Sequence, residues 1–233
     1  MKGGKRIGVV IPTLNEAGAI AKVISDIPQW VDRVVVSDSG STDETISIAE
    51  RLGAKTIQSP QGGYGAACLA GIQQLREFEI IVFLDGDYSD YPEQMDRLVE
   101  PLVSGDSELV IGSRRLGRRE TGSLTPQQRF GNWLACFLIH LFWGVKYTDL
   151  GPFRAVNTAA LGRLRMTDRA FGWTVQMQLH AIFEGIVVME VPVDYRRRIG
   201  TSKISGTIRG TFLAGKAILG TIIFSAIKRY LRR

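Results

Sequence analysis

Four short apolar runs, each closing on a cluster of polar residues, punctuate the first half of the chain. They are Ile7–Pro12, Val34–Ser37, Ile80–Leu84 and Leu109–Ser113, with Ala54–Gln58 a weaker fifth. Short apolar runs bounded by turn residues read as strands covered on both faces. Between them lie segments of helical character. One begins at Asp43, whose short side chain can cap a first turn, and runs through Glu50; another, rich in small residues, covers Gly65–Arg76. This alternation predicts an α/β fold with a mostly parallel sheet and helices on both faces. Ligands gather at the carboxyl ends of the strands in such sheets. That edge collects Asn15, Glu16, Asp38, Asp85, Asp87, Ser113 and Arg114 on one rim.

The second half has a different texture. Gln127–Val145 and Gly172–Glu184 carry helical patterns, and Val187–Tyr195 reads as a strand. Gly206–Leu231 is apolar, glycine-punctuated and interrupted by Lys216. Its longest uncharged run, Ala217–Ile227, falls well short of the ~20 residues that span a bilayer. A helix lying in the headgroup region suits that length, and packing on the body or in a dimer is the competing expectation.

Charge is divided unevenly. Asp194–Arg233 holds ten Lys or Arg and one Asp, a local charge of +9, while the rest holds 19 basic and 22 acidic residues, or −3. A basic end on a slightly acidic body points to phosphate groups or anionic lipid. Nucleic acid is disfavoured, because aromatic residues are sparse among the basic ones and no binding motif is present. Cys68 and Cys136 suggest neither a disulfide framework nor a zinc site, so a reducing cytoplasm is the expected home. The N-terminal apolar run is too short for a signal peptide. A dehydrogenase is also disfavoured: the first strand–helix turn, Pro12–Gly18, has no Gly-x-Gly-x-x-Gly.

Asp85-Gly86-Asp87 is the pattern that carries chemistry. Alternate side chains of an extended segment point the same way, so the two carboxylates can share one hard cation. Gly86 permits a tight turn and the close approach of a ligand. A magnesium or manganese ion held there would bridge the two phosphates of a nucleotide diphosphate. Without further context the same pair reads as a solvated acidic turn.

The context is a set of seven segments in order. They are Ile11–Glu16, Asp38–Asp43, Gly63–Ala67, Phe83–Asp87, Gly112–Arg114, Asp149–Arg154 and Arg197–Lys203. In these the chain resembles family 2 glycosyltransferases of the GT-A fold, and among them the dolichol- or polyprenol-phosphate mannosyl- and glucosyltransferase branch. The resemblance implies a domain over residues 1–205, with a donor half to about residue 115 and an acceptor half beyond it. Residues 206–233 would form a separate hydrophobic and basic helix.

It also implies roles. Pro12, Leu14, Glu16 and Asp38 would line the nucleotide pocket, the Asp38 carboxylate accepting a hydrogen bond from the base. Asp85, Gly86 and Asp87 would meet ribose, metal and diphosphate, with Ser89 as a further metal neighbour. Arg114, Arg129, Arg197, Ser202 and Lys203 would surround phosphates, with Asp87 and Arg129 acting at the reacting centre. Three positions depart from the pattern. Ser39 replaces a second Asp, Ser89 replaces a Gln, and Gln178 falls where the mannosyl enzymes often carry Glu.

The expected reaction is metal-dependent, inverting transfer from a UDP- or GDP-hexose to a polyprenyl or dolichyl phosphate, with peripheral membrane contact. A lipid phosphate is already anionic and needs no general base. His140 and His180 sit in apolar helical patterns, so a hydroxyl acceptor would rely on Asp90 or Asp149. The alternatives are a soluble relative acting on a small phosphorylated or hydroxylated metabolite, and a sugar-nucleotide-binding subunit without activity.

Overall fold

The computed structural model describes residues 1–59, 63–200 and 208–230, and side chains of the last segment over 215–227. Chain order runs β1 (Ile7–Thr13), α1 (Ile20–Ser25), β2 (Arg33–Asp38), α2 (Thr45–Arg51), β3 (Lys55–Gln58), α3 (Tyr64–Gln73) and β4 (Ile80–Phe83). A 3-10 turn at Pro92–Gln94 leads into α4 (Met95–Ser104) and β5 (Leu109–Ser113). Then come α5 (Pro126–Trp143), β6 (Arg154–Asn157), α6 (Thr158–Leu164), α7 (Trp173–Phe183), β7 (Val188–Pro192) and α8 (Ile208–Tyr230).

The strands form one seven-stranded sheet in the order β3-β2-β1-β4-β6-β5-β7. Pairing is parallel except where β6 runs antiparallel between β4 and β5. Both expected halves of the chain therefore contribute to one sheet. Alternation along β1 shows how the sheet divides the core. Val10 faces a cluster with α3, α5 and α7, while Ile7, Val9 and Ile11 face one with α1 and α4. All four are fully buried, each burial contributing about 1.5–3 kcal/mol.

β6 was not foreseen because Arg154-Ala155-Val156-Asn157 is short and opens on a charge. Arg154 is fully buried in mid-sheet, where Nε donates to the Gly151 carbonyl at 3.1 Å and Nη1 to that of Thr174 at 3.1 Å. Burial pulls its pKa down to about 10, which leaves it charged at neutral pH. These carbonyls hold the Gly151–Arg154 turn and the start of α7 against the sheet.

α5 starts where local chemistry dictates. The Thr125 hydroxyl accepts from the Gln128 amide at 3.2 Å, the Gln128 side chain accepts from the Thr125 amide at 2.8 Å, and Pro126 takes the first helical position. Gly144, in the left-handed region, ends it. α5 packs on α8, which also meets α7. Among the described residues no helix is long and apolar enough to cross a membrane.

Candidate active site

The loops after β1 and β2 are tied into one wall. Asn15 adopts a left-handed φ of 55°, its amide donates to the Ser41 hydroxyl at 2.7 Å, and its side-chain oxygen accepts from the Thr42 amide at 2.8 Å. The Glu16 amide reaches the Thr45 hydroxyl at 2.8 Å, and the Ala17 amide reaches Asp43 at 3.1 Å. Asp43 also accepts from the Thr45 amide at 3.1 Å, so it satisfies the opening of α2 while joining the two loops.

Pro12, Leu14 and Glu16 from this wall face Asp85, Gly86 and Asp87 across a cleft of about 340 Å³. Six sequence-predicted positions thus stand together. Gly86 earns its place through packing: a Cβ there would lie 2.9 Å from the Thr13 methyl. Tyr64, Phe171 and Arg198 complete the opposite side. Gly63 and Gly65 bring Tyr64 there, since a Cβ on either would collide with the carbonyls of Arg169 or Asp168 at 2.5 and 2.2 Å.

Asp38 does a different job from the one expected. It is fully buried, and its carboxylate accepts from the Thr13 and Ser41 hydroxyls and the Gly40 and Ser41 amides at 2.5–2.9 Å. Four bonds occupy the acceptor capacity of a carboxylate. Ser39, not Asp38, faces the cleft.

The carboxylates after β4 are crowded. Asp87 is 4 % exposed and pairs with Arg198 at 2.6 Å. Asp85 Oδ1 is buried and meets no hydrogen-bond donor at bonding geometry. Burial first, and the Asp87 carboxylate second, push the Asp85 pKa up to about 7 against the pull of Arg198. Asp90 stands behind, accepting weakly from the Asp85 amide at 3.3 Å, and burial with these neighbours holds its pKa well above the carboxylate range.

Two crowded carboxylates offer hard oxygen ligands of the kind that suit a divalent cation. Asp85 and Asp87 would hold it from the protein side. Among the described residues no group of three His, Cys, Asp or Glu side chains forms a complete site, so remaining ligands must come from elsewhere. Ser89 does not supply one from its observed position. It is fully buried, its amide donates to Asp87 at 2.9 Å, and it lines neither cleft described here. The turn that buries it passes through Tyr88 at φ 64°, held by its hydroxyl bond to Asp26 at 2.6 Å and by the Arg196 guanidinium, 3.3 Å from its ring centre.

Arg196 and Arg198 lie on one side of an extended segment and Arg197 on the other, so only alternate arginines reach the rim. Arg197 instead donates from Nε to the Thr121 carbonyl at 2.7 Å, and its amide donates to Glu120 at 2.8 Å. Arg198, and not the expected Arg197, lines the cleft. Ser202 and Lys203 lie outside the described residues.

Arg114 is also committed. Its Nε, Nη2 and amide donate to Asp149 at 2.8, 2.7 and 2.8 Å. Burial alone would raise the Asp149 pKa, but this guanidinium and nearby amides hold it below the carboxylate range. Gln178, fully buried, donates to the Asp149 carbonyl at 3.1 Å.

A second groove of about 320 Å³ shares Tyr64, Asp85, Phe171 and Arg198 with the first cleft. It runs past Arg114 and Tyr195 between α5 and α8, where Leu134, Leu150, Ile218 and Leu219 make it apolar. Arg129 is in neither. It lines a pocket of about 410 Å³ with Arg114, Arg115 and Arg119, which has no wall in common with the first cleft. The expected position at the reacting centre is not where Arg129 stands: its pocket meets the second groove at Arg114, Leu124 and Asn132, and not the cleft of Asp85 and Asp87.

Tyr64, Phe171, Tyr195 and Arg198 were given no role from sequence. Tyr64 lies within the Gly63–Ala67 segment, and strand alternation separates Arg198 from Arg197. Phe171 carries no local signal.

The fold and site now have relatives to stand beside. An uncharacterised glycosyltransferase of Mycobacterium tuberculosis is 32 % identical over 213 residues, covering 91 % of this chain and 95 % of that one. An undecaprenyl-phosphate mannosyltransferase of Micrococcus luteus is 28 % identical over 220 residues, covering 88 % and 90 %. Glucosyl-3-phosphoglycerate synthase from Mycobacterium tuberculosis, solved in complex with Mn²⁺, UDP-glucose and phosphoglyceric acid, superposes with a TM-score of 0.77 at 24 % identity, covering 97 % and 81 %. That likeness confirms the GT-A fold. The family profile described as Glycosyl transferase family 2 matches residues 8–164, and this chain belongs to that glycosyltransferase family.

Proposed function

We propose that this enzyme moves a hexose from a nucleotide-diphosphate sugar, UDP-linked or GDP-linked, to a polyprenyl phosphate at the cytoplasmic face of a membrane. The observation that carries the reading is the junction of the two grooves. The cleft bearing Asp85 and Asp87 opens, through Arg198 and Tyr64, directly into an apolar groove between α5 and α8. An apolar chain suits the groove, and its phosphate would sit where the groove meets the carboxylates and arginines. The Micrococcus relative, named for undecaprenyl phosphate, supports this acceptor class.

Asp85 and Asp87 would hold Mg²⁺ or Mn²⁺ with the diphosphate, and the ion supplies neutralisation of charge on the leaving group. The synthase structure with Mn²⁺ and UDP-glucose supports both the ion and the donor class. Pro12 and Leu14 would wall the nucleotide. Arg198, beside Asp87, would stand at the departing phosphate, where a guanidinium stabilises developing charge. The acceptor oxygen attacks the anomeric carbon from the groove side. A bond from that oxygen to the carbon forms as the bond to the diphosphate breaks, and configuration inverts.

Neither candidate base lies open to an acceptor. Asp149 is bound to Arg114, and Asp90 is buried behind Asp85. That arrangement favours an acceptor whose oxygen is already charged. Turnover of labelled UDP- and GDP-hexoses with a short-chain, water-soluble polyprenyl phosphate tests the proposal. Cation-dependent lipid-linked product is expected. Transfer to a soluble alcohol or phosphorylated metabolite, with none to any polyprenyl phosphate, would overturn it.

A further inference from the structure

The arginine pocket beside α5 adjoins the second groove, with which it shares Arg114, Leu124 and Asn132, but its Arg115, Arg119 and Arg129 line neither that groove nor the cleft of Asp85 and Asp87. Arg115, Arg119 and Arg129 gather at its wall and form no ion pair among the described residues. Its carboxylate, Asp149, is already neutralised by Arg114 at 2.7 Å. A pocket with three uncompensated guanidinium groups attracts phosphate oxygens, which guanidinium binds in bidentate fashion.

What borders the pocket says which phosphates. Phe130 and Trp133 line it, and they begin an outward-facing stripe on α5 that continues through Phe137 and Leu141. These four residues are 61 %, 47 %, 47 % and 61 % exposed. Their spacing follows the helical repeat, so they share one face. Phe130, Trp133 and Phe137 form a ladder with ring centres 5.8 and 5.6 Å apart. A free anionic metabolite would need the arginines but would give this aromatic ladder nothing to bury against.

We propose that the arginine pocket and the α5 stripe together form a docking surface for a bilayer leaflet containing anionic phospholipid. Headgroup phosphates occupy the pocket at Arg115 and Arg119, while Trp133 and Phe137 enter the boundary between headgroups and acyl chains. Trp suits that boundary because its ring is apolar and its N–H polar. Arginine near an anionic leaflet adds an attraction that salt weakens. The inference deepens the lipid-acceptor reading, because a surface placed this way sets the mouth of the α5–α8 groove near the source of polyprenyl phosphate.

Vesicle co-sedimentation of the full chain tests it. Phosphatidylcholine vesicles are compared with phosphatidylcholine–phosphatidylglycerol vesicles at low and high salt. The expected result is salt-sensitive binding to the anionic vesicles, weakened at least tenfold by Arg115→Glu with Arg119→Glu and again by Trp133→Ser with Phe137→Ser. Transfer to the short water-soluble acceptor should remain within about threefold for both double variants, since none of these residues lines the reacting grooves. Equal binding to neutral vesicles, unaltered binding by the variants, or self-association through this face without sedimentation would overturn the docking surface. If the soluble acceptor fails while vesicle binding behaves as expected, the acceptor reading falls and the docking surface stands.

Discussion

The donor wall and the acceptor side are built on opposite plans. Around Pro12–Ala17 and Asp38–Thr45, side-chain oxygens meet backbone amides at nearly every turn, and the loops are fixed before any ligand arrives. On the acceptor side the walls are apolar side chains of two helices, and three arginines have no anionic partner among the described residues. A fixed polar wall suits a small ligand with defined hydrogen-bonding edges. An apolar trough rimmed by cations suits a long chain carrying a phosphate. Arg198 stands between the two, in contact with Asp87 on one side and open to the groove on the other.

The largest effect expected on this contrast comes from Asp87→Ala. Loss of a ligand for both cation and Arg198 should lower transfer by about a thousandfold or more with the fold retained, as measured by product formation and circular dichroism. It should also abolish the cation-dependent melting shift given by the correct nucleotide.

Next is Asp149→Ala, which leaves Arg114 buried without its partner. Breaking a buried pair costs about 3–5 kcal/mol, which denaturant unfolding would register. The pH dependence follows from the lowered Asp149 pKa. Its stabilising contribution is complete above the unfolded value near 3.8 and is lost as pH falls through the lower folded value. Acid unfolding of the parent should therefore show a component in that window that Asp149→Asn lacks.

Arg198→Ala should reduce kcat/KM by about a hundredfold or more, while Arg197→Ala changes it by less than about threefold. Equal effects from the two would contradict the alternation that separates them. A change smaller than that of Arg198→Ala is expected in the groove. Ile218→Asp should raise KM for polyprenyl phosphate by roughly tenfold, leaving nucleotide-dependent melting unmoved, because only the apolar trough is altered.

The same contrast explains what could be read from sequence. Each donor residue lies within a few positions of a strand end, so the strand pattern and Asp85-Gly86-Asp87 located the rim together. Asp38 was placed correctly on that rim, but its four internal bonds depend on how the next three residues curl. The acceptor side depends on tertiary geometry. Phe171 arrives from the loop before α7, and Arg129, on α5, lines the pocket that also holds Arg114 and Asp149 and neither groove. The antiparallel β6 escaped for a similar reason: only its neighbours β4 and β5 make Arg154–Asn157 a strand.

The central claim is that one cation-dependent donor cleft empties into a groove for a lipid phosphate. Its most direct test offers polyprenyl phosphate and 3-phosphoglycerate in the same reaction with a labelled nucleotide-hexose, then partitions the products between organic and aqueous phases. Label in the organic phase that disappears with chelator is the expected result. Label transferred only to the aqueous phosphoglycerate would contradict it.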